Sequence, residues 1–325
     1  MFSEIFVINL DRDSDKLHKV QQEFTKQNLH FTRFPAVDGR KYLQETPDEI
    51  KNQEIEYMCQ KFCTPSSIGC FLSHRRIWEK IVKDKIPITL ICEDDVFFSK
   101  HFKDFDLIWQ EVPMDWDMVY LGCLGACNPN QNYSVLSWLF SWMGNNPDRG
   151  RKITERIFVP DCPSGTHAYA LSYEGACKLL DIIKKVTFHV DVTISRRAKN
   201  MNIYAIYPDL IYQKISVVQS STAGNRPVLL NTLLDKLYID NKGTSLAWML
   251  SENAGQIAGY PISFWTLIII VALIWAKYYN KYLFMGITGA LALEALYWLY
   301  QRKWNDLKIS LVDLFIALLI FLVIR

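Results

Sequence analysis

The chain has 325 residues, 50% of them hydrophobic, with 36 basic against 34 acidic side chains. That is long enough for a catalytic domain with a full core and further structure beside it, and it excludes both a mini-protein and a disordered chain. Six basic and three acidic residues follow position 260, so about 30 against 31 precede it; with no net positive field there, nucleic acid is not an expected partner.

The first 22 residues lack a charged start, an apolar run and a small-residue cleavage site, so no secretory signal is expected. IFVINL (5–10) is a strand, residues 13–28 a helix with Leu17, Val20 and Phe24 on one face, and FTRFPAV (31–37) a second strand. The polar stretch 40–65, with Pro47 and Pro65, reads as a mobile loop carrying a short helix. A helix capped by Ser66 or Ser67 runs to Lys83, with Ile68, Phe71, Leu72, Trp78, Ile81 and Val82 at helical spacing.

The strand ITLIC (88–92) runs into Glu93, Asp94 and Asp95, and DMVYLG (117–122) is another strand. Residues 128–160 read as a long loop with one short helix at SWLFSWM (137–143), a segment that either packs or touches an acceptor or bilayer. THAYALS (166–172) is a strand capped by Ser172 into a helix through Lys185. A helix over 191–200 and the strand NIYAIYP (202–208) follow. Strands apolar on both faces, alternating with amphipathic helices, predict an α/β fold with a mostly parallel sheet covered on both sides. Ligands bind such sheets beyond the carboxyl ends of the strands. Here those ends carry Asn9 to Arg12, Glu93 to Asp95, and Gly122 onward.

Residues 216–260 read as a polar linker and 261–325 as a membrane region. Three apolar runs, Ile262 to Ala276, Leu283 to Tyr300 and Ile309 to Ile324, each span about 23 to 27 Å, slightly short of a ~30 Å hydrocarbon core. Snorkelling of Lys277, Lys281 and Lys308 covers the shortfall, so three spans are expected, against the plain alternative of a buried helical hairpin. Glu294 and Asp313 are costly in lipid and face helix neighbours, a head group or hydrated interface. The eight cysteines are expected as free thiols of a reducing compartment; Cys59, Cys63, Cys123 and Cys127 also have the spacing of a four-thiolate zinc site. A slight bias of basic residues agrees with a catalytic domain on the cytoplasmic side of a multi-pass membrane protein.

Three consecutive carboxylates are unfavourable without a compensating cation. If the segment stays extended, Glu93 and Asp95 share one side and Asp94 lies opposite, a pair of hard ligands suited to Mn²⁺ or Mg²⁺ on a diphosphate. The plain alternative is an acidic solvated turn.

FVINLDRDSDKLHKV (6–20), FPAVDG (34–39), SSIGCFLSH (66–74) and the strand into EDDV, continued by WDMVYLG (116–122), THAYALS and VDVTI (190–194), together resemble glycosyltransferase family 25 over roughly residues 3 to 215. That family includes lipooligosaccharide and collagen galactosyltransferases. The resemblance implies a GT-A-like domain over 1–215, a UDP-hexose donor, a divalent metal, and transfer with inversion to a glycan, glycolipid or protein acceptor. It brings Asn9, Leu10, Arg12, Asp38, Gly39, Ser73, His74, Glu93 and Asp94 to the donor, and Asp95 with Glu93 to the metal. Asp191 is the expected base, with Asp161 and His167 as runners-up; Gln213 matches a position of uncertain role. Each has a plainer alternative: surface charge for Arg12, a DG turn for Asp38 and Gly39, a core histidine for His74, and a helix cap for Asp191. Membrane lipid is an expected partner of the tail. A non-catalytic membrane scaffold that keeps the fold is the alternative from another class.

Overall fold

The computed structural model describes residues 2–126, 150–160, 162–213, 227, 228, 231, 234 and 246–323. It divides into two compact units, Met1–Lys214 and Ile215–Arg325. In the first, strands β1 (Glu4–Asn9), β2 (Thr32–Pro35), β3 (Ile88–Glu93), β4 (Val96–Phe98), β5 (Met118–Ala126), β6 (Ile157–Phe158), β7 (Cys162–Ser172), β8 (Ile203–Ile206) and β9 (Ile211–Gln213) alternate with helices. The helices are α1 (Ser14–Lys26), α2 (Gly39–Glu45), α3 (Asp48–Glu54), α4 (Tyr57–Phe62), α5 (Pro65–Asp84), α6 (Phe105–Trp109), α7 (Tyr173–Ile182) and α8 (Val190–Arg197).

Seven strands form one sheet, in the order β2-β1-β3-β7-β5-β8-β6. β1, β2 and β3 run parallel, as do β5 and β8, while β7 runs against both of its neighbours and β6 against β8. The mostly parallel sheet expected from the sequence is therefore present, with an antiparallel strand at its centre. That reversal positions the site: the start of β7 lies at the edge where β1, β3 and β5 end, and Cys92 pairs with Ala168.

Period-two alternation buries both faces of the sheet. Phe6, Ile8, Ile91, Tyr120, Tyr169 and Leu171 pack on one side with Phe71, Trp78 and Ile81 of α5 and Leu179 of α7. Val7, Leu90, Cys92, Val119, Leu121 and Ala170 pack on the other with Val20 and Phe24 of α1 and with Phe105 and Ile108 of α6. Full burial of each large apolar side chain contributes about 1.5–3 kcal/mol relative to exposure.

Several boundaries differ from expectation for identifiable reasons. Helix α5 is capped by Thr64, whose hydroxyl accepts from Ser67 N at 3.3 Å, because Pro65 suits the first helical position, where its missing N–H costs nothing. The stretch 40–65 is not a mobile loop but the three short helices α2, α3 and α4, with Pro47 capping α3. Ser172 caps α7 as expected, accepting from Gly175 N, but that helix stops at Ile182. SWLFSWM lies outside the described residues.

In the second unit, residues read as linker form helix α9 (Leu246–Ser251) and part of the antiparallel hairpin β10 (Asn253–Ile257) and β11 (Tyr260–Ser263). Helices α10 (Phe264–Tyr279), α11 (Lys281–Tyr300) and α12 (Trp304–Val323) follow, packed around Leu273, Ala276, Phe284, Leu291, Ala317 and Ile320. Among the described residues, one helix, α11, is long and apolar enough to cross a membrane, with mean hydropathy 1.4. Of the three expected spans, this supports one. The 16 residues of α10 reach only about 24 Å, and α12 carries Asp306, Lys308 and Asp313. Glu294 is buried within the unit, accepting from Val228 N at 3.2 Å and Trp298 Nε1 at 3.3 Å, and Asp313 accepts from the Tyr260 hydroxyl. Both costly carboxylates thus have protein donors.

Candidate active site

The acidic triplet lies where β3 ends. The chain turns at Asp94 and Asp95 into β4, so it is not extended, yet Asp94 still diverges from Glu93 and Asp95. Gln213 at the end of β9 pairs with Val96 and reaches both others: its Nε2 donates to Asp95 Oδ1 at 2.6 Å and lies 3.4 Å from Glu93 Oε2. Asp94 turns to β1 and α1 instead, accepting from Asn9 Nδ2 at 2.7 Å and lying 3.7 Å from Lys16 Nζ.

These placements set the charges. Burial and the neighbouring Glu93 charge push the Asp95 carboxyl up to about 7. Burial also acts to raise Glu93, but hydrogen bonds from His74 and the Thr166 hydroxyl, with His167 nearby, outweigh it and hold Glu93 below the usual carboxylate range. Asp94 is raised, chiefly by burial, with Lys16 and Asn9 opposing. Two carboxylates on one amide, one of them driven toward protonation, form a hard-oxygen donor set short of positive charge.

Asn9 is buried and saturated: besides Asp94, it donates to Asp13 O at 3.0 Å and accepts from Arg33 Nε at 2.9 Å. Leu10 is half-buried at the start of the following turn, where its carbonyl accepts from Asp13 N. Arg12 pairs with Asp38 at the surface. Burial acts to raise Asp38, but backbone donors from Lys41 and Arg40 and the Arg12 charge bring it below the ordinary value. Asp38 is thus the cap of α2.

Gly39 has a packing reason: a Cβ there would stand 1.7 Å from Pro65 O, and one at Gly69 would stand 2.7 Å from Gly39 N. Ser73, fully buried, donates to Gly69 O at 2.7 Å and accepts from Val37 N at 2.8 Å. Gly39, Gly69 and Ser73 therefore fasten the AVDG turn to α5.

His74 is buried, with Nδ1 2.9 Å from the Tyr169 hydroxyl and Nε2 3.5 Å from Glu93 Oε1. His167 is buried on β7; a Cβ on Gly122 would stand 1.6 Å from Ile211 O and 2.7 Å from His167 Nε2, so that glycine admits the backbone of β9 and the ring. Its neighbour Thr166 donates to Glu93 Oε1 at 3.1 Å. Asp191 is not the cap of α8, a position held by His189; it accepts instead from Val192 N and Gly165 N, both at 2.8 Å. The bond to Gly165 joins α8 to β7 one residue from Thr166, at the same sheet edge. Asp161 lies outside the described residues.

Lys16, Arg33, Thr166 and Tyr169 went unread in the sequence, although each sits inside or beside a motif. A lone lysine or tyrosine in an amphipathic element carries no local mark of its partner across the sheet. Cys70 Sγ, His74 and Glu93 also offer ligand atoms within 4.8 Å of one another, but a thiol and an imidazole suit softer ions than Mn²⁺ or Mg²⁺.

The cysteines correct an expectation. Cys59 and Cys63 form a disulfide across α4 and Cys123 is also disulfide-bonded, so these three are neither free thiols nor zinc ligands. Cys70, Cys92 and Cys177 form no disulfide. The thiol argument for a reducing, cytoplasmic placement therefore loses its basis.

The family profile described as glycosyltransferase family 25 (LPS biosynthesis protein) matches residues 2–194, which include β1, β3, β4, β5, β7 and the first turn of α8 with Asp191, but not β9. The chain belongs to glycosyltransferase family 25. Procollagen galactosyltransferase 2 of Mus musculus is 27% identical over 194 residues, 55% of this chain and 27% of that one. Procollagen galactosyltransferase 1 of Danio rerio is 30% identical, over 55% of this chain and 28% of that one. A Bos taurus protein named probable inactive glycosyltransferase 25 family member 3 is 31% identical, over 55% and 29%. This family 25 chain thus spans little more than a quarter of the length of those relatives. Among solved structures, protein A197 from STIV aligns over 66% of the chain at 12% identity with a TM-score of 0.33, too low for a comparison of folds.

Proposed function

We propose that this chain is a metal-dependent, inverting hexosyltransferase that moves galactose or glucose from a UDP-sugar to a hydroxyl of a glycan, glycolipid or protein. The relatives' name, procollagen galactosyltransferase, favours galactose. The observation that carries the reading is the pair Glu93 and Asp95, partly buried, joined through Gln213 and short of positive charge at the ligand-binding edge of the sheet.

Glu93 and Asp95 would hold Mn²⁺ or Mg²⁺; when bound, the ion neutralises the charge that develops on the departing diphosphate. The protein supplies the remainder. Arg12 and Asp38 stand at the surface beside the neighbouring strand end, where they would meet the donor, and Asn9 and Lys16 keep Asp94 off the metal side. An acceptor hydroxyl attacks the anomeric carbon as the bond to UDP breaks, and its proton passes to a base on the opposite face. Asp191 is our choice for that base: each of its oxygens keeps a lone pair beyond those used by Gly165 and Val192. α11 supports attachment to a membrane, which favours a membrane-linked acceptor.

A second reading, a non-catalytic scaffold, draws support from the bovine relative named probable inactive. UDP-hexose hydrolysis by the purified protein, with and without Mn²⁺, separates the two because it needs no acceptor. Metal-dependent release of UDP from one donor is expected; UDP binding with no turnover, in the presence of acceptor extracts as well, would favour the scaffold. Asp191→Asn is expected to lower transfer about 10²–10⁴-fold while leaving UDP binding intact. Unchanged transfer would remove Asp191 from the mechanism.

A further inference from the structure

Behind Glu93 runs a line of buried hydrogen bonds that the reaction described above does not use. Trp78 Nε1 lies 2.9 Å from the Tyr169 hydroxyl, that hydroxyl lies 2.9 Å from His74 Nδ1, and His74 Nε2 faces Glu93 Oε1 at 3.5 Å. Trp78 and His74 stand one turn apart on α5, Tyr169 is central on β7, and all three are fully buried.

The direction of each bond follows from which groups can donate. An indole N–H only donates, so the Tyr169 oxygen accepts from Trp78. The phenol proton is itself buried and requires an acceptor, and His74 Nδ1 lies at hydrogen-bond distance to take it. A neutral imidazole that accepts at Nδ1 carries its hydrogen on Nε2. That nitrogen makes no other hydrogen bond, and the oxygen in front of it belongs to Glu93.

We propose that Trp78 and Tyr169 are positioning residues that lock His74 in its Nε2–H tautomer, so that His74 donates to Glu93 Oε1 and turns Oε2 toward Gln213 and Asp95. The inference rests on the reading of Glu93 as a metal ligand. It also assigns the soft cluster of Cys70, His74 and Glu93 no ion, because a protonated Nε2 cannot ligate and Nδ1 is engaged by Tyr169.

The test uses the full chain with ¹⁵N-labelled histidine, read by long-range ¹⁵N–¹H spectra, the His74 signals being assigned by their loss in His74→Gln. His74 is expected as the Nε2–H tautomer in the wild type and as a mixture in Tyr169→Phe, a change of one oxygen. Mn²⁺ binding, followed by the electron paramagnetic resonance of the free ion, should weaken about tenfold in Tyr169→Phe, as is usual when a partner behind a ligand is removed. In His74→Gln, whose amide donates without tautomers, adding Tyr169→Phe should change Mn²⁺ affinity less than twofold, a non-additivity that a merely structural role would not produce. A wild-type His74 with its proton on Nδ1, or equal Mn²⁺ affinity in wild type and Tyr169→Phe, overturns the proposal. A wild type that binds no Mn²⁺ at all defeats the metal reading instead, while the spectrum still decides the tautomer.

Discussion

Asp95 and Glu93 differ by two positions and carry the same functional group, yet their surroundings drive them apart. Glu93 has His74, His167 and Thr166 to hold its charge, whereas Asp95 has burial and Glu93 against it and is pushed up to about 7. The unfolded carboxyl titrates near 3.9, so in the metal-free protein the folded state binds this proton more tightly than the unfolded chain does. Stability from Asp95 is therefore complete below about pH 4 and is lost as pH rises toward 7. A cation reverses the sign, since it takes the ionised form and competes with the proton. Mn²⁺ should raise the melting temperature little at pH 5 and strongly at pH 8, with affinity falling as pH drops below 7; calorimetric scans with and without Mn²⁺ check this. A metal-induced shift of equal size at both pH values would show that Asp95 is no ligand.

Helices α2 and α5 approach so closely that their contact depends on glycine. Gly39 and Gly69 each face the other helix's backbone where a Cβ would collide, and Ser73, anchored on Gly69 O of its own helix, closes the joint by accepting from Val37 N. Gly39→Ala is accordingly expected to destabilise the protein by about 2–4 kcal/mol, because backbone rather than a flexible side chain must give way. Asp38→Ala, which loses only the cap of α2 and the Arg12 pair, should cost about 1 kcal/mol. Urea denaturation of both variants separates a turn kept for packing from one kept for donor contact: a Gly39→Ala protein of normal stability and impaired UDP binding would give the glycine to the ligand.

The chain folds as two units, and its family 25 profile ends at residue 194, inside the first. Residues 1–214 contain every described donor, metal and base candidate, together with both faces of the core. A fragment ending at Lys214 is expected to stay in solution without detergent and to retain metal-dependent UDP-sugar hydrolysis within about fivefold of the full chain. The full chain should sediment with liposomes and the fragment should not. Co-sedimentation of the fragment would move the membrane contact to the first unit.

The α/β character, the strands β1, β2, β3, β5, β7 and β8 with helices α1, α5, α7 and α8, and the family were legible in the sequence, because each depends on neighbours close in the chain; the short elements α2 to α4, β4, α6, β6 and β9 were not. Apolar periodicity marks a strand or helix locally, and ordered motifs such as SSIGCFLSH and EDDV survive as strings. Of the three expected spans only α11 is supported among the described residues: snorkelling was expected to cover a shortfall of length, but α10 has 16 residues and α12 carries three charged ones. What only the tertiary structure decided were relations across the sheet. The reversal of β7 brings Thr166, His167 and Tyr169 to Glu93, β9 delivers Gln213 to Asp95, and α4 closes a disulfide where free thiols were expected. A strand reads the same in either direction, and a side chain's partner eighty residues away leaves no periodic trace, so direction and long-range pairing are fixed only when packing chooses among the folds that one pattern allows.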